Sequence, residues 1–495
     1  MRLSKPARDA TLIDIARALT PRQAVELVGD NVAVDDVHID SRSVTLGSLF
    51  VAIRGATADG HDFLGSAAAS GATAVAVEKP MAMDLPYLLL EDTRSALGWI
   101  AAEVHGYPGR ELGVIGITGT NGKTTVAHML ATMTAGSPRQ TAVIGTVSAN
   151  LGDTDVSPRT TPEANDLHRI LRHLVDAGQI TDVAIEVSSH AMVMGRVNGV
   201  TFDVVAFTNL SQDHLDYHDT MEDYYQAKAR LFQPEWAPHG VVWIDDSWGN
   251  RLAGESSIPV TTVGTAPGAD VIVAYGRETP SGSRFTLNIA GRALAVEVAL
   301  AGRFNISNAA VAIVCAHLQE VPLDRAISQL ATMPPIPGRY NTLDTDRDLW
   351  VVVDYAHTPD AIESVILESR QLIKGRIIAV VGAGGDRDRR KRPLMGAAIA
   401  TADIAIITTD NPRSEDPGEI IGQMVAGVPA GSEMVVEPDR RAAIRHALTV
   451  AHDGDAVLIL GKGHEAGQEF ADGILPFDDR QVAEEELQLL AEASG

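Results

Sequence analysis

The segment ELGVIGITGTNGKTTVAHML, residues 111–130, decides how the rest of the chain is read. Its first eight residues are an apolar run broken only by glycines and opened by Glu111, the pattern of a strand buried on both faces of a parallel sheet. The run KTTVAHML reads as the start of a helix. Between them lies the glycine-rich GTNG. Glycines free backbone N–H groups to surround phosphate oxygens, and the following helix points its positive end at the same place. Lys123 is placed to reach the terminal phosphates, and Thr124 offers a hydroxyl to Mg²⁺. The strict form of such a loop has a glycine six residues before the lysine. Here that position is Ile117, and the glycines fall at 116, 119 and 122. The segment is therefore a variant phosphate loop. Gly119, Thr120, Asn121, Gly122, Lys123, Thr124 and Thr125 are expected to bind a nucleoside triphosphate.

The chain around this loop has 495 residues, too many for one hydrophobic core, and its length suggests about three domains. With 45% hydrophobic residues it is globular rather than disordered. Lys plus Arg total 40 against 65 Asp plus Glu, a net charge of −25, which argues against nucleic-acid binding. Anionic substrates then require positive charge to be concentrated in a site. The single cysteine, Cys315 in the apolar run VAIVCAHL, allows no internal disulfide and reads as a small buried hydrophobe. The N-terminus lacks a signal-peptide core, and no run of 18 apolar residues suggests a membrane span. The expectation is a cytoplasmic enzyme, a monomer, without stable membrane insertion.

Breaks near Tyr107-Pro108-Gly109 and at Pro334, Pro335, Pro337 and Gly338 divide the chain into residues 1–108, 109–336 and 337–495. All three read as α/β. The first has short strands and small helices around VHIDSRSVTLGSLFVAIRG (37–55). The second is a parallel-sheet domain built on the phosphate loop. In the third, the apolar strands DLWVVVD, RIIAVVG, ADIAIIT and DAVLIL alternate with helical stretches near 360–373, 391–401, 416–426 and 438–452. That alternation predicts a Rossmann-like, doubly wound sheet. Each of these strands is followed by a polar cluster: 354–357, GAGGDRDRRKR (382–392), DNPR (410–413) and GKGHE (461–465). Ligands bind beyond the carboxyl ends of strands in such sheets. The four clusters predict one ligand-facing edge.

The motif GITGTNGKTT closely resembles the ATP-binding loop of the Mur ligase family, which includes the folylpolyglutamate synthetases. RTTPEA, EVSSHAM, NLSQDHLDYH, YYQAKARLF, GRFNISNAA, PGRY, DYAHTPD, GGDRDRRKRPLM, DNPR and GKGHE follow in the order found in the branch that adds the third residue of the peptidoglycan stem peptide. The resemblance covers nearly the whole chain, DSRSVTLGSLFVAIRG included. It implies ATP-dependent amide formation through an acyl phosphate, with cations neutralising the anionic groups that meet. Glu186, ending the strand DVAIEV, is a strand-end carboxylate suited to Mg²⁺. By the same resemblance His214 ligates a second Mg²⁺, and Lys228 carries a CO₂-derived carbamate whose oxygens also bind metal. Taken alone, a helix lysine is solvated. The catalytic set implied is Lys123, Glu186, His214 and Lys228, with Thr124 completing the metal donors.

The resemblance further implies that Asn305 and Asn308 contact adenine, and that Arg339, Asp354 and His357 face the nucleotide from beyond the Pro-rich hinge. The commoner family form follows PGR with Met-Glu, where this chain has Tyr340-Asn341. Ile39, Ser41, Ala56, Thr57 and Ala58 match positions holding the uridine diphosphate. Thr160, Thr161, Ser188 and Arg196 match those holding the muramoyl dipeptide, while Met194 stands where some members have glutamine. The first domain thus binds UDP, the second ATP and two Mg²⁺, and the third the amino acid.

Which amino acid is added has a chemical clue. Meso-diaminopimelate ends in an ammonium and a carboxylate, L-lysine in an ammonium alone. Arg413, within Asp410, Asn411, Pro412 and Arg413, suits bidentate carboxylate binding, and Arg387 could assist. Glu465 and the Gly461 carbonyl could receive the ammonium. An unpaired arginine would repel the lysine tail. As a turn residue, Arg413 would instead pair with Asp410 or Glu415. The expectation is a ligase adding diaminopimelate to UDP-N-acetylmuramoyl-L-alanyl-D-glutamate. A lysine-adding enzyme, a folylpolyglutamate-type ligase, a phosphotransferase and a non-catalytic nucleotide-binding scaffold are the alternatives.

Overall fold

The computed structural model describes residues 10–55, 58–152, 159–279 and 281–494. Its three main sheets follow one another along the chain. The first has five strands: β1 (Val25–Val28), β2 (Asp36–His38), β3 (Ser48–Val51), β4 (Ala74–Val77) and β5 (Tyr87–Leu90), in the order β1-β5-β4-β3-β2. Only β1 runs antiparallel to its neighbour. The period-two alternation of strand side chains splits its core in two. Leu49, Val51, Ala74 and Ala76 face helix α1 (Thr93–Val104), while Phe50, Val75 and Val77 face the other side.

The second sheet has nine strands. Seven run parallel: β6 (Gly113–Thr118), β7 (Thr141–Ile144), β8 (Asp182–Glu186), β9 (Val204–Phe207), β10 (Gly240–Trp243), β11 (Val260–Gly264) and β12 (Val271–Thr279). Their order is β7-β8-β6-β9-β10-β11-β12. Antiparallel hairpins then add β13 (Gly282–Ile289) and β14 (Arg292–Val298), an extension that the reading of a purely parallel sheet did not include. Helices α2 (Lys123–Thr134), α3 (Ala164–Ala177), α4 (Met221–Ala229) and α5 (Arg303–Leu318) cover the faces. Cys315 lies fully buried in α5, as expected, and burial pushes its thiol up. The chain leaves β6 toward β8 and β7 on one side and β9 on the other. The phosphate loop therefore sits where the strand order reverses, the place where open α/β sheets bind ligands.

The third sheet has six strands: β15 (Asn341–Leu343), β16 (Trp350–Asp354), β17 (Ile377–Val381), β18 (Ile404–Ile407), β19 (Met434–Val436) and β20 (Ala456–Leu460). Their order is β15-β16-β20-β17-β18-β19, with β15 alone antiparallel. The four expected strands are β16, β17, β18 and β20, and the four expected helices lie at Pro359–Leu372 (α6), Lys391–Ile399 (α7), Pro417–Val425 and Arg440–Val450. All four polar clusters follow the carboxyl ends of parallel strands and so share one edge. Among the described residues no helix is long and apolar enough to cross a membrane.

Candidate active site

The phosphate loop owes its shape to two glycines. Gly119 and Gly122 have φ of 143° and 86°, a region that side chains rarely adopt. A Cβ on Gly119 would lie 2.0 Å from Thr208 Oγ1, and one on Gly122 would lie 2.3 Å from Asn308 Oδ1. The Lys123 amine folds onto the loop, donating to the carbonyls of Gly119 (2.9 Å) and Thr120 (2.7 Å). Burial pushes its proton affinity down, with Glu186 opposing. Lys228, on α4, is not among the side chains lining the cavity, and its Nζ donates to the same Gly119 carbonyl at 2.8 Å, close to Lys123, Asp213 and His214. It is fully buried. Burial and the Lys123 charge hold its amine well below the usual lysine range.

The loop opens onto a cavity of about 250 Å³ lined from both sides by two domains. The central domain contributes residues 120–125, Thr146, Thr160, Glu186, Asp213, His214, Asn305 and Asn308. The C-terminal domain contributes Arg339, Asp354, His357 and the start of α6. Arg339 donates to Thr124 Oγ1 at 2.9 Å and lies over the Tyr355 ring at 4.7 Å. Asp354 accepts from the backbone N–H groups of Tyr340 and Ala356, and burial pushes its carboxyl up. Asn305 and Asn308 are buried at the start of α5, joined to each other at 3.3 Å.

Glu186 Oε1 accepts from the Thr146 N–H at 2.9 Å. His214, at φ 55°, stands 3.4 Å from Asp213, and burial pushes its imidazole down to about 3. Asp213 escaped the sequence reading although it adjoins His214. It is buried and is held well below the usual carboxylate range: burial opposes this, but Lys391 at 3.2 Å, His214 and His357 prevail. Lys391 and His357 belong to the C-terminal domain. Among the described residues no three His, Cys, Asp or Glu side chains are grouped to hold a metal ion. Mg²⁺ keeps several waters and uses one or two carboxylates plus substrate phosphates, so the oxygens of Thr124 and Glu186 fit it.

The positions expected to hold the dipeptide continue from Glu186. Thr161 donates to the Glu186 carbonyl at 2.7 Å and lies 3.3 Å from the Ser188 hydroxyl. Thr160 accepts from Thr146 at 3.1 Å. Arg196 donates to the Thr161 carbonyl and pairs with Glu163 at 3.1 Å. Glu163 also pairs with Arg159 and, from α1, with Arg94 at 2.7 Å. Sequence reading did not single out Glu163 or Arg94. Ile39, Ser41 and Ala58 follow the carboxyl ends of the adjacent parallel strands β2 and β3, which puts them on one edge. Ala56 and Thr57 lie outside the described residues.

In the third domain the clusters interlock. Asn411 Nδ2 donates to Glu465 Oε2 at 2.7 Å, and the Asp410 carboxylate lies against Gly461. Burial pushes Asp410 up. The backbone N–H of Gly385 donates to the Asn411 carbonyl at 2.8 Å, and Pro412 closes over Gly385. Arg413 corrects the expectation of an unpaired arginine. Its Nε meets Glu469 Oε2 at 3.0 Å and its Nη1 donates to the Gly385 carbonyl at 2.7 Å. Neither turn-residue partner is used, since Glu415 is held by Arg392 and Arg389. Arg387 is exposed and flanks Gly384 together with Arg413.

Three family models match the chain: Mur ligase family, catalytic domain, at residues 34–105; Mur ligase middle domain at 117–316; and Mur ligase, glutamate ligase domain, at 338–463. A Streptomyces coelicolor protein named UDP-N-acetylmuramoyl-L-alanyl-D-glutamate--2,6-diaminopimelate ligase is 44% identical over 97% of this chain and 96% of its own. A solved structure with that same name is 33% identical, with a TM-score of 0.65, covering 93% of this chain and 96% of that one. A Thermotoga maritima MurF ligase solved with ADP is 19% identical, with a TM-score of 0.65, over 93% and 98%, a likeness of fold alone.

Proposed function

Since this chain belongs to the Mur ligase family, we propose that it is the ATP-dependent ligase that joins meso-diaminopimelate to UDP-N-acetylmuramoyl-L-alanyl-D-glutamate. The γ-carboxylate of the D-glutamyl residue attacks the γ-phosphorus of ATP, and ADP leaves. The amine then attacks the acyl phosphate, an amide forms and inorganic phosphate leaves. The observation that carries this reading is the cavity itself. A phosphate loop from one domain meets Arg339 and His357 from another, and Thr160, Thr161 and Ser188 continue from Glu186.

Each residue has a task. Residues 119–125 cradle the triphosphate, with Lys123 turned from its loop carbonyls to the phosphates. Asn305 and Asn308 bind adenine, and Asp354 fixes the backbone around Arg339. Ile39, Ser41 and Ala58, with Ala56 and Thr57, hold the uridine diphosphate. Thr160, Thr161, Ser188 and Arg196 hold the peptide. Thr124, Glu186, His214 and a carbamate on Lys228 would hold two Mg²⁺ ions, which when bound neutralise the phosphate charge. The depressed amine of Lys228 supports carbamate formation, because the neutral form adds CO₂. Closing the two domains excludes water from the acyl phosphate. The cytoplasm, where ATP and nucleotide-linked sugars meet, is the compartment such chemistry needs.

For the amino acid, Glu465, held by Asn411, and the Gly461 carbonyl face the distal ammonium, while Arg413 and Arg387 face the distal carboxylate. The pairing of Arg413 to half-exposed Glu469 leaves the ligand carboxylate to join or displace that partner. Incubation of the purified protein with ATP, Mg²⁺, bicarbonate, the nucleotide-linked dipeptide and diaminopimelate tests the reading. Mass spectrometry is expected to find the tripeptide and ADP in equal amounts. ADP without an amide product would contradict it.

A further inference from the structure

Lys462 is fully buried and belongs to none of the ligand contacts assigned above. Its Nζ lies 3.1 Å from Asn411 Oδ1, 3.3 Å from Glu465 Oε2 and 2.6 Å from the Gly467 carbonyl. A lysine amine has three donors, and these three acceptors use them all. They come from three places: the loop after β18, the loop after β20, and the hairpin at Gly467–Phe470 and Gly473–Pro476. Asn411 Nδ2 closes a triangle by donating to the same Glu465 oxygen at 2.7 Å. Asn411 Oδ1 also accepts the Glu469 N–H at 2.9 Å, which ties in the residue that pairs with Arg413.

This arrangement divides the Glu465 carboxylate. Oε2 points inward to two donors. Among the described residues Oε1 has only the Tyr355 hydroxyl, at 3.4 Å, and is the oxygen available to a ligand. Among the described residues no other cation makes these three contacts. Arg440, deeper in the domain, is committed to Asp479 and the Leu460 carbonyl.

We propose that Lys462 is a positioning residue for the amino-acid site, fixing Asn411, Glu465 and the Arg413–Glu469 pair as one unit that presents Glu465 to the distal ammonium of the incoming amino acid. The inference rests on the ligase reading above. Without Lys462, Asn411, Glu465 and the Gly467 carbonyl lose their shared charged donor, leaving the Asn411 hydrogen bonds to Glu465 and Glu469 to hold the three elements, and Asp410, 3.8 Å from its Nζ, loses a neighbouring cation. The ATP cavity does not include Lys462, and nucleotide binding is expected to change little without it.

The test is steady-state kinetics of the full-length enzyme with Lys462→Met, Glu465→Gln and the double variant, all three substrates being varied in turn. Loss of a buried charged hydrogen bond is expected to raise KM for diaminopimelate at least about tenfold. KM for ATP and for the nucleotide-linked dipeptide should stay within about twofold. The two substitutions should also be non-additive, because both act through one carboxylate. If Lys462→Met does not fold, Lys462→Gln, which keeps a donor, carries the same measurement. An unchanged amine KM, equal shifts in all three KM values, or additive effects would overturn the inference. A wild-type enzyme that forms no amide would overturn the ligase reading itself, and this inference with it.

Discussion

Glu186 is a carboxylate whose surroundings fix its direction. A Cβ on Gly145 would lie 2.1 Å from its Oε1, so any larger residue there would displace the carboxylate, and Thr146 secures the same oxygen. Glu186→Gln keeps the shape and removes the charge. It is expected to lower kcat by about a hundredfold or more, as loss of one preorganised electrostatic contact does, while the thermal midpoint stays within about 2 °C. A variant with normal kcat would remove Glu186 from the site. At this scale the places of Lys123 and Glu186 beside the cavity were legible from a glycine-rich loop and a strand-end acid, and that of His214 from the family resemblance. The partner of Arg413 was not, because Glu469 lies 56 residues further on and reaches it only through the fold of a hairpin. Asp213 and Lys462 were passed over for a related reason. A side chain whose importance comes from burial gives no signal until the burial is known.

Among the elements, the helix α3 carries a second consequence of burial. His168 is fully buried against the α1–α3 contact, its Nε2 on the Asn198 carbonyl at 2.9 Å, and burial pushes it down to about 4. Above pH 6.5 the imidazole is neutral in both folded and unfolded chains and adds no pH dependence. As the pH falls below that, only the unfolded chain takes up the proton, and stability drops. By pH 5 the loss is about 2 kcal/mol. Urea unfolding at pH 7 and pH 5 should show this loss in the wild type and a smaller one in His168→Leu; equal losses would contradict it. The parallel strands were legible as apolar runs between glycines. The β13–β14 extension went unread although Gly282–Ile289 alternates buried and more accessible residues and Ala290-Gly291, both at positive φ, form its turn. That segment carries none of the polar motifs from which the central domain was read.

Across the whole molecule, the cavity exists because two domains meet. Lys391 reaches across to Asp213 at 3.2 Å, Arg339 to Thr124 at 2.9 Å, and Asn121 to Asp360 at 3.4 Å. Arg390 adds a hydrogen bond to the Leu215 carbonyl. Removing one partner of a buried ion pair costs about 3 kcal/mol or more, which shifts a closed-to-open balance by about a hundredfold. Lys391→Met is therefore expected to lower kcat and to enlarge the radius of gyration of the ATP-bound protein in X-ray scattering. An unchanged scattering profile would show that the pair does not hold the domains together. The strands and the polar clusters at their ends could be read from sequence, but the hinge-spanning contacts could not, since they depend on how two separately folded sheets face each other.

Amide formation driven by ATP, with selection of a doubly charged amine, is open to one direct measurement. Phosphate release should be followed with UDP-N-acetylmuramoyl-L-alanyl-D-glutamate, ATP, Mg²⁺ and bicarbonate, comparing no amine, meso-diaminopimelate and L-lysine. Release is expected to require an amine and to be at least about tenfold slower with lysine than with diaminopimelate, the factor that one fixed charge contact supplies. Equal or faster turnover with lysine would contradict the roles given to Arg413 and Arg387. Release that ignores the amine altogether would contradict the ligase itself.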